Sequence, residues 1–158
     1  MTGGRLESAP RYATDITADD AWAVYEFVMP RLDALLSTHD AGSEQHRIAE
    51  ALAEALATLV LRLDTEILRP TRKPHPIRPA TLSPPVWTEE QLRAAEERRR
   101  DVIHQSWDDL CALVRPWQGS EGYDEVRWRM VDFRDAARET YYDRTCAELA
   151  IALRAERP

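Results

Sequence analysis

The side chains best able to do chemistry in this sequence are gathered in one stretch, Glu96-Glu97-Arg98-Arg99-Arg100-Asp101-Val102-Ile103-His104, with Asp108 one helical turn further on. A guanidinium and an imidazole a few residues apart suit cleavage of a phosphodiester. Arg99 would stabilise the charged phosphorane while His104 moves a proton during attack by a 2′-hydroxyl. The same residues also read as a solvated basic flank, because Glu96, Glu97 and Asp101 stand within helical reach of the arginines and can pair with them. Asp101, His104 and Asp108 would supply at most part of a metal shell, which Glu50 or Glu54 would have to complete from another helix. Helical carboxylate-metal bundles use Glu-x-x-His on two helices, and that motif occurs nowhere in the chain. Neither a metal nor a cofactor is expected.

Arg99, four intervening residues and His104 on one helix are similar to the signature of HEPN ribonucleases. The resemblance covers six residues and the all-helical architecture. It implies a metal-independent ribonuclease acting as a dimer, with two such pairs around one RNA phosphate. Other catalytic signatures are absent: there is no Gly-rich phosphate loop, G-x-S-x-G elbow or H-E-x-x-H, and no Glu-x-x-Glu of the helical nucleotide pyrophosphatases. Cys111 and Cys146 have no CxxC spacing and no nearby His pair, so zinc spacing is missing and a disulfide is not expected. Cys111, beside Leu110 and Leu113, reads as a small buried hydrophobe.

The elements that must carry these residues follow from composition and periodicity. With 158 residues, 44% hydrophobic and 31% charged, the chain suits one soluble domain. A chain of that size can bury about two-thirds of its unfolded surface. Gly is scarce, at 5, and Ala, Leu, Arg and Glu dominate, which is a helical alphabet. Lys73 is the single lysine among 21 basic residues, a bias that points to a GC-rich bacterial genome rather than to phosphate binding. Residues 1–69 hold 6 Arg and 12 acids, for -6 of the net -7, so the acidic first half would repel a phosphate backbone and duplex DNA is disfavoured as a partner. No run approaches the roughly 20 apolar residues of a membrane span, and the start MTGGRLESAP lacks the apolar centre of a secretory signal. A cytoplasmic location without membrane contact is expected.

Residues 1–16 have no periodicity and are expected to be a mobile N-terminal segment, followed by a single helical domain over 17–158. Thr17 with Asp20 forms a capping box for helix one, about 18–38, which Pro30 should kink. Ser43 caps helix two, about 44–68, with Ile48, Leu52, Leu56, Leu59, Leu63 and Ile67 on one face. Six of the ten prolines fall in the stretch 70–87, a Pro-rich crossover linker whose Pro76-Ile77-Arg78-Pro79 fits a PxxP pattern. Its length leaves the relative direction of helices two and three open. Thr88 and Gln91 form a second capping box for helix three, about 89–117, which Pro116 and Gly119 end. The spacing of Tyr123, Val126, Met130, Phe133, Ala137 and Tyr141 predicts a long helix four, about 121–156. These add up to an all-α, four-helix bundle-like domain.

Trp128, Val131 and Tyr142 fall off the main stripe of that fourth helix, and Leu149 with Leu153 stands on an apolar end that outruns its partners. Exposed aromatic and aliphatic strips of this kind mark partner surfaces. The expectation is therefore a non-catalytic protein-interaction or regulatory module, self-associating as a homodimer or capturing a protein partner. RNA enters as a partner only under the ribonuclease alternative.

Overall fold

The computed structural model describes residues 15–68, 86–131 and 136–155, and within them the architecture is all-α. α1 (Ala18–Thr38), α2 (Glu44–Leu68) and α3 (Glu89–Val114) are followed by one 3-10 turn over Arg115–Trp117, and α4 covers Ala136–Ala155. The N-terminal stretch 1–14 and most of the Pro-rich linker, with its PxxP pattern, lie outside the described residues.

The helices start where the capping chemistry places them. Thr17 and Asp20 satisfy each other's backbone N–H groups at the head of α1, Thr88 and Gln91 do the same for α3, and the His46 N–H donates to Ser43 Oγ at the head of α2. Pro30 lies inside α1, which continues as one helix to Thr38. Beside it, Arg31 Nη1 donates to the Phe27 carbonyl at 2.5 Å, and its guanidinium lies 3.7 Å over the Phe27 ring.

α1 and α2 form an antiparallel hairpin, tied near its open end by Trp22 Nε1 donating to Asp64 Oδ1 at 2.9 Å. α3 meets the end of α2 at Arg99 and runs back along it, which settles the direction the sequence left open. The centre is dry: Val24, Val28 and Leu32 of α1, Leu56, Val60 and Leu63 of α2, and Trp107, Leu110 and Val114 of α3 have no exposed surface. α1 and α3 pack on α2 far more closely than on each other. The gap between them is filled by an irregular strap, residues 118–131.

That strap is the main departure from the expected fold. A fourth helix from 121 does not form, and α4 begins only at Ala136, with 132–135 outside the described residues. Gly119 and Gly122 sit at φ +83° and +85°, which a right-handed helix cannot contain. The Asp124 carboxylate accepts from the N–H groups of Val126 (3.1 Å) and Arg127 (2.8 Å), and the Glu125 carboxylate accepts from the Gly119 N–H at 2.8 Å. Side-chain acceptors thus capture donors that a helix would need. The Trp128 N–H closes a turn on the Asp124 carbonyl at 3.0 Å, and from 127 to 131 burial alternates with period two in irregular chain, so that Trp128 and Met130 both turn inward.

Trp128 was expected on an exposed interface strip and instead belongs to the core, at 5% exposure. Its ring stands edge-on to Phe27 (4.9 Å between centroids) and to Tyr123 (5.1 Å). Around it, Trp107 Nε1 donates to the Arg129 carbonyl (2.9 Å), the Val131 N–H donates to Asp108 Oδ1 (2.6 Å), and Arg31 donates to the Glu121 carbonyl (3.0 Å). α4 packs alongside none of the other three helices, so the expected bundle of four is three packed helices closed by a strap.

Arg127 locks the strap to the head of α1. Its guanidinium donates to both Asp20 carboxylate oxygens, at 2.7 and 2.5 Å, and to Asp15. Burial alone would raise the Asp20 carboxyl, but the hydrogen bonds from Arg127 and from Thr17 outweigh it and hold the group below its ordinary value. The stability from this depressed carboxyl is present above its unfolded value of roughly 4 and drains away as pH falls through the folded one. Asp20→Asn should therefore unfold with a flatter acid limb than the wild type when circular dichroism is followed downward from pH 5; an unchanged acid limb would show that Asp20 is not linked to folding. Trp128→Ala should cost about 3–5 kcal/mol in urea unfolding, as for a large core aromatic. A cost below about 0.5 kcal/mol would return Trp128 to the surface.

Candidate interaction surface

The sequence-predicted catalytic pair is not brought together. Arg99 turns to the end of α2, where Nε donates to the Glu66 carbonyl (2.7 Å), Nη2 to the Ile67 carbonyl (2.9 Å) and Nη1 to Glu96 Oε1 (3.2 Å). The last carbonyls of a helix have no partners within it, and the negative end of its dipole favours a cation. α2 has no basic residue in its own last turn, so α3 supplies one. His104 instead lines an open groove of about 490 Å³ with Asp15, Ile16, Glu96, Arg100 and Ile103. Asp108 is buried and accepts from the Val131 N–H, which makes it a strut for the strap. Among the described residues no three His, Cys, Asp or Glu side chains cluster as a metal shell.

Cys111 is buried between α3 and the core, and burial with the nearby Asp108 charge pushes its thiol far above the ordinary range. Its burial matches what its apolar neighbours suggested. Cys146, on α4, is exposed.

α4 is the unusual element. Arg115, at the end of α3, holds its base: Nε donates to Asp143 Oδ1 at 2.9 Å, Nη2 to Asp143 Oδ2 at 2.7 Å, and both terminal nitrogens reach Glu139 Oε1 at 3.3–3.4 Å. Arg129 of the strap pairs with the other Glu139 oxygen. Tyr142 packs against the core from the next turn, and Val131 of the strap is likewise half-buried against the core. Beyond Asp143 every residue to Ala155 is exposed. Leu149, Ile151 and Leu153 expose 58%, 67% and 56% of their surface, so the apolar end of the helix stands open among the described residues. No family model, no curated protein and no solved structure matches this chain.

Of the five expected interface residues, Leu149 and Leu153 are open, Val131 and Tyr142 are half-covered at the base, and Trp128 is withdrawn into the core. Sequence reasoning missed the Arg115 clamp, whose partners lie 24 and 28 residues away with no local signal. It also missed a second apolar surface at the closed end of the α1–α2 hairpin. There Leu35, Ile48, Ala49 and Leu52, with His39 and Gln45, line a groove of about 210 Å³. Ile48 and Leu52 keep the apolar stripe of α2 yet are exposed, at 54% and 36%.

No helix among the described residues is long and apolar enough to cross a membrane. Arg99→Ala should lower stability by about 1.5–3 kcal/mol, the range for hydrogen bonds to a charged group, whereas His104→Ala should cost about 0.5 kcal/mol or less. Equal losses measured by urea unfolding would mean that Arg99 has no special part at the end of α2.

Proposed function

We propose that the chain is a non-catalytic, cytoplasmic protein-interaction module that self-associates, with α4 as its docking element. The observation that carries this reading is a 20-residue helix clamped to the body at its base, with Leu149, Ile151 and Leu153 at its end exposed among the described residues. A dozen residues of helix are marginal in water on their own, and exposed Leu and Ile gain nothing there. A second apolar surface supplies what the helix lacks. The free thiols of Cys111 and Cys146 suit a reducing compartment.

Val131 and Tyr142 would form the inner edge of the interface and Leu149 with Leu153 its centre. Phosphodiester cleavage, the alternative, draws less support, because its cation Arg99 is spent on the α2 carbonyls.

The expected mass in solution is a multiple of the 18.1 kDa of one chain. Replacing Leu149 and Leu153 together with Glu should return the protein to monomer in light scattering while its urea midpoint stays within about 0.5 kcal/mol of wild type, as for exposed positions. A wild type that is monomeric at its highest soluble concentration would sink the self-association. Cleavage of single-stranded RNA that disappears in His104→Ala would favour the enzyme instead.

A further inference from the structure

We infer that the groove between α3 and the head of α1 binds a small organic oxyanion, with Arg100 and His104 holding the charged group beside an apolar floor of Ile16 and Ile103. This goes beyond the self-association proposed above and stands or falls apart from it. The groove measures about 490 Å³, within the roughly 300–1,000 Å³ of small-molecule sites. Two segments wall it. α3 contributes Glu96, Arg100, Ile103 and His104, which recur over two turns of one face, and Asp15 with Ile16 closes the other side just before the Thr17 cap. Ile16 and Ile103 are half-buried and packed on the core, which leaves part of each side chain as floor.

The sign of the ligand's charge follows from which side chains are already engaged. Asp15 accepts from Arg127 Nη1 at 3.0 Å and Glu96 accepts from Arg99 Nη1 at 3.2 Å, so each acid lining the groove has a guanidinium of its own. Arg100 is left over. Glu96 stands four residues before it, at the spacing of a helical ion pair, yet turns to Arg99 instead. Among the described residues neither Arg100 nor His104 makes an ion pair or a side-chain hydrogen bond. The two stand four residues apart on α3, which sets their Cβ atoms about 5–6 Å from each other on one side of the helix. Both have N–H groups to give. A carboxylate or phosphate group accepts from several donors at once and suits such a pair, whereas a cation would meet the charge of Arg100 uncompensated. The isoleucines offer apolar surface that an inorganic ion cannot use, so the ligand carries an organic body. Arg99 and Arg100, about 100° apart around the helix, thus take different tasks: one caps α2 and the other faces the groove.

Three probes that share one ring and differ in charge test the site: phenyl phosphate, benzoate and benzylamine, each titrated into the isotope-labelled full-length chain and followed by amide chemical shifts. The expected result is saturable shifts at Asp15, Ile16 and along 96–104 with at least one anion, and none there with benzylamine. The tighter anion names the source, phosphate ester or carboxylate. Arg100→Ala should weaken that anion about tenfold or more, the loss of a hydrogen bond to a charged group, and His104→Ala should weaken it as well. Arg100 is exposed, so its removal leaves the core untouched, and Arg100→Lys, which keeps the charge without the fork, should fall between wild type and Arg100→Ala. Arg98, exposed on the same helix and outside the groove, is the control: Arg98→Ala should bind like wild type. Benzylamine shifts equal to those of the anions would mean that the groove takes the ring alone and would overturn the proposal. Shifts confined to other parts of the chain, wild-type affinity in Arg100→Ala, or equal weakening by Arg98→Ala would overturn it too, as would no shift with either anion at its highest soluble concentration.

Discussion

The insertion of Trp128 between α1 and α3 is the contact on which the rest of the described structure depends. Those two helices both lie on α2 but are held apart from each other, and a gap lined by Phe27, Trp107 and Leu110 would otherwise stand open to water. A helix cannot fill it, because the chain must deliver two neighbouring inward side chains, Trp128 and Met130, with the backbone between them bonded to Trp107. Irregular chain can do this, whereas a regular helix turns residues two apart to different sides. Once the strap is seated, its far end at Val131 is pinned by Asp108, and the starting point of everything after it is determined.

Arginine is the other recurring device. Arg31, Arg99, Arg115 and Arg127 each join segments distant in sequence, and each uses the guanidinium fork on carbonyls or carboxylates. Five donors in a fixed plane can serve two acceptors at once, which a lysine ammonium does less specifically. The near absence of lysine therefore has a structural counterpart: the charged side chains act as struts between elements, and one of them is the residue whose spacing to His104 looked catalytic. Chemistry-like spacing on a helix and a useful strut draw on the same residue types, and only the direction of the side chain tells them apart.

The consequence for function is a division of labour within the chain. The body, α1 to α3 with the strap, is closed around an apolar core, and it too leaves apolar side chains outside: the groove at the closed end of the α1–α2 hairpin, and Leu61, Leu68, Leu92, Val102 and Val126. In α4, charge at its base holds the helix to the body, and Leu149, Ile151 and Leu153 at its end stand exposed among the described residues. The clamp of Arg115 and Arg129 on Glu139 is polar and partly shielded, so it sets position without contributing an apolar contact that would satisfy the helix.

Much of this was written locally. The three packed helices, their boundaries and both capping boxes follow from Thr17, Ser43 and Thr88 and from apolar side chains at helical spacing, because caps and periodicity act over a few residues. The open apolar end at Leu149 and Leu153 was legible for the same reason. The strap was misread because Tyr123, Val126 and Met130 happen to keep helical spacing, while the turn chemistry of Gly119, Gly122 and Asp124 beside them pointed the other way. Only packing could decide that contest: the gap between α1 and α3 accepts Trp128 from an irregular strap, and no window of sequence contains that gap. Tertiary structure likewise decided that Arg99 caps α2 and that Arg115 clamps α4, because a guanidinium six or seven ångströms from its own backbone finds partners that sequence distance does not reveal.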